Sequence, residues 1–335
     1  MWAIGPPALR QFGETAESST LAANLQLRFV TNAILNCKYR LSSTRRVVFS
    51  SRVEPIRSQT PVGQAVPFSF FRSAAAGIFS VLFPSECRIC GALLDTFSRL
   101  PVCSECLTSL QPIDGDLCSI CGERVHGTTD IDEKLICGMC DRARPQFVRA
   151  TAFGSYDAEL RELLHLLKYE AVTPASETLG LLLAEAVKKL EVAGAVTVVP
   201  VPLHREKQRQ RGFNQTELIA RAAVKHLGPQ FTLRKKVLRR TRATNSQIGL
   251  TNHQRRANLR GAFKISAGGA KHIKDGEVLL VDDVLTTGTT VSECTRVLLR
   301  AGAKRVHVAT VARVLKGEPA RLDWREERVS AAAHV

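Results

Sequence analysis

Four Cys-x2-Cys pairs fall within one short window of this 335-residue chain: Cys87 and Cys90, Cys103 and Cys106, Cys118 and Cys121, Cys137 and Cys140. Each such turn can aim two thiolates at one metal, and two turns complete the tetrahedron that structural zinc prefers. Twelve residues separate the first two pairs and fifteen the last two, and Gly91 and Gly122 directly follow the second Cys of a pair, where the backbone is tight. Two sequential ribbons are the simplest assignment; a crossed one, with the first and third pairs on one metal, fits the spacing as well. His126 is available as a substitute ligand, but beside eight cysteines it reads as a loop residue. Closed four-thiolate sites leave no position for chemistry, so two structural Zn²⁺ ions stapling a small region are expected. The sharper alternative makes the ribbons a contact surface for nucleic acid or protein. Cys37 and Cys294 stand outside the pattern, the second in a predicted helix where a free Cys serves as a small apolar side chain.

Disulfides would be the competing use of ten cysteines, but that use belongs to small secreted domains. No apolar run approaches the roughly 18 residues that span a bilayer, and the start, with Pro6 and Pro7, lacks the apolar segment of a secretory signal. A cytoplasmic protein is therefore expected. With 47 Lys and Arg against 31 Asp and Glu the formal charge is +16, which favours polyanionic partners without choosing between nucleic acid and phosphorylated metabolites. Residues 1–72 are rich in Ser, Thr, Pro and scattered Arg and are read as a disordered basic leader. An organelle transit peptide is an alternative that Glu14, Glu17 and Glu54 weaken; a mis-assigned start is another, although no second Met precedes Met139.

A short helix at 73–83 leads into the cysteine window, so 73–145 is the expected zinc module. From 148 the texture changes to helical periodicity at 159–169, 177–190, 215–227 and 291–301, alternating with β-rich runs at 196–201, 278–281 and 306–311. That alternation predicts an α/β domain over 148–315, a parallel sheet flanked by helices. Residues 316–335 read as a loose tail.

The most informative run is Val278-Leu-Leu-Val-Asp-Asp-Val-Leu-Thr-Thr-Gly-Thr-Thr290, a buried strand ending in two acids, then a Thr/Gly loop, then a helix. Such a loop offers unpaired N–H groups, hydroxyls and the positive helix end to a phosphate. The run resembles the phosphoribosyl pyrophosphate (PRPP) fingerprint of type I phosphoribosyltransferases. The resemblance implies that Asp282 and Asp283 hold the ribose 2′- and 3′-hydroxyls as the catalytic pair, while Thr286, Thr287, Gly288, Thr289 and Thr290 wrap the 5′-phosphate. Upstream, the strand at 198–201 precedes a basic loop; in the fold it resembles, that loop cradles pyrophosphate, which nominates His204, Arg205, Arg211 and Gly212, with Asn214 and Gln215 in support. The segment from Val237 through Phe263 corresponds in position to the hood that closes over PRPP, with Arg240, Arg242, Gln247, Arg255 and Arg256 as candidate contacts to phosphates or to a nucleic-acid backbone.

These segments behind a double zinc ribbon, preceded by Leu164-His-Leu-Leu-Lys-Tyr-Glu170, are similar to the ComF family of competence-associated proteins over about residues 75–315. The resemblance implies a type I phosphoribosyltransferase fold, PRPP bound with Mg²⁺, and transfer to a nitrogen acceptor of unknown identity. It also implies the competing function, a PRPP-responsive module that binds single-stranded DNA beside a DNA-uptake helicase. Basic segments at 204–211, 234–242 and 255–260 favour nucleic acid; an aromatic content of 6% leaves few stacking platforms, Tyr169 and Phe213 among them. Regulation by an inert fold that reads PRPP is the third possibility.

Overall fold

Residues 278–281 are apolar at four consecutive positions, a pattern that a strand covered on both faces can accommodate. The computed structural model, which describes residues 85–94, 98–125, 135–242, 254 and 258–316, places them in the middle of a sheet. Its strands and helices run α1 (Ser104–Thr108), α2 (Gly138–Arg142), β1 (Ala150–Ser155), α3 (Ala158–Tyr169), α4 (Ala175–Lys188), β2 (Val196–Pro200), α5 (Arg205–Arg211), α6 (Gln215–Val224), β3 (Phe231–Leu233), β4 (Leu238–Arg240), β5 (Phe263–Ile265), β6 (Glu277–Leu285), α7 (Thr289–Arg300) and β7 (Arg305–Arg313). Five strands form a parallel sheet in the order β1-β7-β6-β2-β3, and β4 pairs antiparallel with β5 in a separate ribbon. In register, Val198 lies opposite Leu279 and Val281 opposite Ala309.

Successive strand residues leave on opposite faces, and the core divides accordingly. On one face Leu279, Val281, Ala309 and Val311 meet Leu163 and Leu167 of α3, Leu179, Leu182 and Leu183 of α4 and Ile219 and Ala223 of α6. On the other, Val278, Leu280, Val306 and Val308 meet Val291, Cys294 and Leu298 of α7 and Leu238, Leu259 and Phe263 of the hood. Cys294 is thus a packed apolar group, as its sequence context indicates. The two cysteine tetrads are divided in the same way. Cys87, Ile89, Val102 and Cys106 join the first core, whereas Cys118, Ile120, Cys137 and Cys140 join the second.

This division closes the outer edge of β1. β1 pairs with β7 on its inner side; on its outer side Ile113 N–H donates to Phe153 O at 2.7 Å and Ala150 N–H donates to Ile120 O at 2.7 Å. An uncovered edge offers unpaired N–H and C=O groups to any other strand, and here the backbone between and within the tetrads occupies them. A buried ion pair fastens the junction: Arg313, the last residue of β7, reaches Glu123 at 2.9 Å and donates to Cys121 O at 2.6 Å, with both side chains about a tenth exposed or less.

The predicted helices and strands lie within two or three residues of those observed, except at 278–281, where the strand runs on through both acids to Leu285, and at 204–212. At 204–212 the expected basic loop is a short helix, α5, capped by the His204 ring, which accepts from Glu206 N–H, and ended by Gly212 at φ 83°. Its sequence, Arg-Glu-Lys-Gln-Arg-Gln-Arg, has no apolar face and buries no residue, so periodicity carried no helical signal. The helix expected at 73–83, the leader 1–72, Cys37, His126 and the tail beyond 316 fall outside the described residues.

Two substitutions test this packing. A Cβ at Gly180 would stand 2.4 Å from Ala222 Cβ and 2.8 Å from Ala223 N, so α4 and α6 meet closely there. Gly180→Val should lower the unfolding free energy by about 1–3 kcal/mol in urea denaturation. Arg313→Met strands Glu123 as a buried charge and should cost about 3–5 kcal/mol by the same measurement; a shift under about 1 kcal/mol would mean that the pair does not fasten the junction.

Candidate functional site

The eight ribbon cysteines resolve into two sequential tetrads, Cys87/Cys90/Cys103/Cys106 and Cys118/Cys121/Cys137/Cys140, with the Sγ atoms of each within 4.8 Å of one another. The crossed arrangement is therefore not the one formed. Sγ–Sγ separations are 4.0 Å for Cys87 and Cys106, 3.6 Å for Cys90 and Cys103 and 3.6 Å for Cys121 and Cys137. A tetrahedron with Zn–S near ~2.3 Å has edges near ~3.8 Å, so each tetrad fits a structural zinc. The two are built alike: Gly91 N–H donates to Cys87 O and Gly122 N–H to Cys118 O, both at 2.8 Å, and short antiparallel bridges join Glu86 to Leu93 and Leu117 to Arg124. Arg313 Nη2 also donates to Cys121 Sγ at 3.7 Å, which ties the second tetrad to the end of β7.

At the carboxyl end of the sheet, β6 carries Asp282 and Asp283 before it ends at Leu285. The acids are within the strand rather than beyond it, so they depart from opposite faces. Asp283 turns toward α3 and α6. Lys168 Nζ stands 2.9 Å from its Oδ2 and Gln215 Nε2 donates to the same oxygen at 3.0 Å, while Val284 N–H donates to Oδ1 at 2.7 Å. Burial works against the Asp283 carboxylate, but the Lys168 charge and these hydrogen bonds outweigh it and hold its pKa below the usual range. Asp282 lies on the side of Arg240 and Cys294, whose titration its charge influences. Burial first, and the charge of Asp283 second, push Asp282 up to about 8. The pair is thus split into one firmly ionised and one readily protonated carboxyl.

Thr286, Thr287 and Gly288 follow, and Gly288 at φ 73° caps α7 in the left-handed region, where a side chain would be strained. The Thr287 and Thr289 hydroxyls are 2.9 Å apart, and Thr290 lies in the first turn. The N–H groups of that turn have no intrahelical acceptors, which is the arrangement that receives an anion.

The structure brings part of the expected pyrophosphate set to the acids. Arg211 donates to Gln215 Oε1 at 2.6 Å, and Gln215 in turn donates to Asp283. Asn214 instead caps α6 and donates to Val201 O, fixing the turn between strand and helix. His204 is engaged as the cap of α5, and exposed Arg205 begins that helix, at the end opposite Arg211. In the hood, Arg240 lies over the Phe263 ring at 5.5 Å, and Arg242 donates to Asn258 O and Arg260 O, so its guanidinium holds the base of the hood segment together. Gln247, Arg255 and Arg256 are outside the described residues.

Lys168, within the run Leu164–Glu170, has a role that its own sequence context does not reveal. It ends an amphipathic helix, and nothing local to that helix reveals that its partner is on a strand far along the chain. Around it, Tyr156 OH and His165 Nε2 are 2.9 Å apart, and exposed Tyr169 faces Arg211 at 5.6 Å and the His165 ring edge-on at 5.2 Å.

Residues 78–141 match the double zinc ribbon domain, and residues 217–327 match the phosphoribosyl transferase domain. The DNA utilization protein YhgH of Escherichia coli (strain K12) is 31% identical over 237 residues, which cover 69% of this chain and 98% of that protein. Competence protein F of Haemophilus influenzae is 28% identical over 224 residues, covering 63% of this chain and 96% of that one. Among solved structures, the allosteric regulatory enzyme of purine biosynthesis aligns at a TM-score of 0.26 and 22% identity over 42% of this chain and 26% of that one, too remote to carry an argument. None of the helices among the described residues is long and apolar enough to cross a membrane. With both domain matches and relatives aligned over nearly their whole length, this chain belongs to the ComF/YhgH family, in which a double zinc ribbon precedes a phosphoribosyltransferase domain.

Proposed function

We propose that the domain binds PRPP and serves in the handling of DNA; the Escherichia coli relative is named for DNA utilization and the Haemophilus influenzae one for competence. The observation that carries the ligand is the continuous path from Asp282 and Asp283 in β6, through the Thr286–Gly288 loop, to the open first turn of α7. In this reading the acids receive the ribose hydroxyls, the 286–290 segment receives the 5′-phosphate, and Arg211 with Gln215 flanks the pyrophosphate. Carboxylate oxygens suit Mg²⁺, which keeps much of its own water and the substrate's oxygens in its shell, and which when bound neutralises pyrophosphate charge. Lys168 positions Asp283 as an acceptor and keeps it charged. If transfer to an acceptor occurs, the chain's contribution is positioning and charge stabilisation.

A second reading, in which PRPP regulates single-strand binding without transfer, is favoured by Tyr169. Its ring is 72% exposed and lies next to the Arg211 guanidinium, the pairing of aromatic face and cation that unstacked bases use. Release of pyrophosphate from PRPP only in the presence of a base would favour the enzyme; a PRPP-dependent change in oligonucleotide affinity without release would favour the second.

Calorimetric titration of Mg²⁺ and PRPP into the zinc-loaded protein tests the site shared by both readings. Asp282→Asn with Asp283→Asn should weaken binding by at least about 100-fold, since two hydrogen bonds to charged acceptors are lost. Unchanged affinity would remove the acids from the site. The titration should also depend on pH. With its pKa raised to about 8, Asp282 carries a proton at neutral pH, and its protonated carboxyl is a weaker acceptor for a hydroxyl than the carboxylate. Affinity should therefore rise between pH 6 and 8, by up to about tenfold per unit, and level off above, and Asp282→Asn should flatten that slope.

A further inference from the structure

Beyond the acids, the 286–289 loop also forms a wall of a cleft of about 710 Å³ that extends to the second zinc tetrad. Neither Asp282 nor Asp283, nor Lys168 or Arg211, lines it. The loop therefore has two approaches, one from the acids and one from this cleft. With the diol at the acids and the 5′-phosphate at the loop, as the preceding subsection proposes, a group joined to that ribose reaches the cleft by way of the 5′-phosphate. PRPP has nothing there, and a cleft of this volume is within the range of whole drug-sized ligands, far beyond one phosphate group.

The walls indicate what the occupant is. Five cations line the cleft against two carboxylates, Glu123 and Glu293. Each carboxylate is already matched, Glu123 by Arg313 at 2.9 Å and Glu293 by Arg296. The side chains of Arg144, Arg260 and Lys316 are exposed and form no ion pair with a carboxylate among the described residues, although the Lys316 backbone N–H donates to Glu123 at 3.0 Å. This surplus of positive charge faces apolar wall from Phe147, Leu259 and Leu285. A cationic rim over an apolar floor suits a second phosphate followed by a nucleoside. The acids, which precede the loop in β6 and do not line the cleft, ask for a free cis-diol, which an internal nucleotide of a DNA strand lacks.

We infer that this site accepts a ribose 5-phosphate whose phosphate is itself linked through pyrophosphate to a nucleoside, a dinucleotide of the ADP-ribosyl kind, with the nucleoside lodged against the second zinc ribbon. The inference rests on the phosphate-loop reading of the preceding subsection and adds the 5′ substituent to it.

The test compares ribose 5-phosphate with ADP-ribose, the same sugar phosphate carrying AMP, by calorimetry on the full zinc-loaded chain. ADP-ribose should bind at least tenfold more tightly. Ala143, an exposed residue of the cleft wall at the end of α2, can be enlarged without entering a core. Ala143→Trp should bring ADP-ribose back to the affinity of ribose 5-phosphate and leave ribose 5-phosphate unchanged, which also reports an intact fold. Arg144→Glu with Arg260→Glu should do the same through charge. Equal affinities for the two ligands in the unaltered protein overturn the cleft assignment alone, as does an ADP-ribose advantage that survives both variants. Failure of ribose 5-phosphate to bind, with ADP-ribose equally inert, overturns the phosphate-loop reading and this inference with it.

Discussion

A parallel sheet built from crossover units ends in strands that have a partner on one side only, and here the outer edge of β1 is covered by the ribbons' backbone. The two tetrads bracket the edge, one joined to each core, so that the ribbons form part of the hydrophobic interior of the sheet domain as well as closing their own zinc sites. Ribbons of this size could hold little core alone, and metal coordination supplies the local rigidity that lets them present Ile113 and Ile120 at fixed positions. The double module is thereby a structural wall of the domain that follows it.

The candidate site is organised by a second constraint, the cost of placing two adjacent carboxyls in a strand among buried residues. β-geometry sends them to opposite faces, and the chain resolves them differently. Asp283 is given a lysine and an amide from two different helices, which keep it ionised, while Asp282 has weaker support and holds its proton more strongly. One carboxyl of the pair is thus held in place and ionised, and the other stays close to its protonated form.

Much of the fold was legible because its signals are local. The run 278–281, the helical stripes and the Cys-x2-Cys turns each declare themselves over a few residues, and the motif from Asp282 to Thr290 is continuous in the chain. What stayed hidden depends on distance along the chain. The pairing of Lys168 with Asp283, the reach of Arg313 to Glu123 and the choice between sequential and crossed tetrads arise only when remote segments meet. The helix at 205–211 stayed hidden for a different reason: it buries no residue, so no apolar period marks it, and its only local signals are the His204 cap and the left-handed Gly212 at its end. The short strands β3, β4 and β5, three residues each, are below the length at which alternation can be read.

The pairing of β1 with β7 has a consequence for how the chain is made. Ala150 lies opposite Val308, so the first strand of the sheet finds its neighbour only when the last has left the ribosome. Long-range parallel pairing of this kind is slow and leaves sticky edges waiting. The ribbons, by contrast, are synthesised first and close over short loops. Ribbons that had already taken up metal could lie along the outer side of β1 while its inner side is still unpartnered, which would link zinc supply during translation to the protection of that edge.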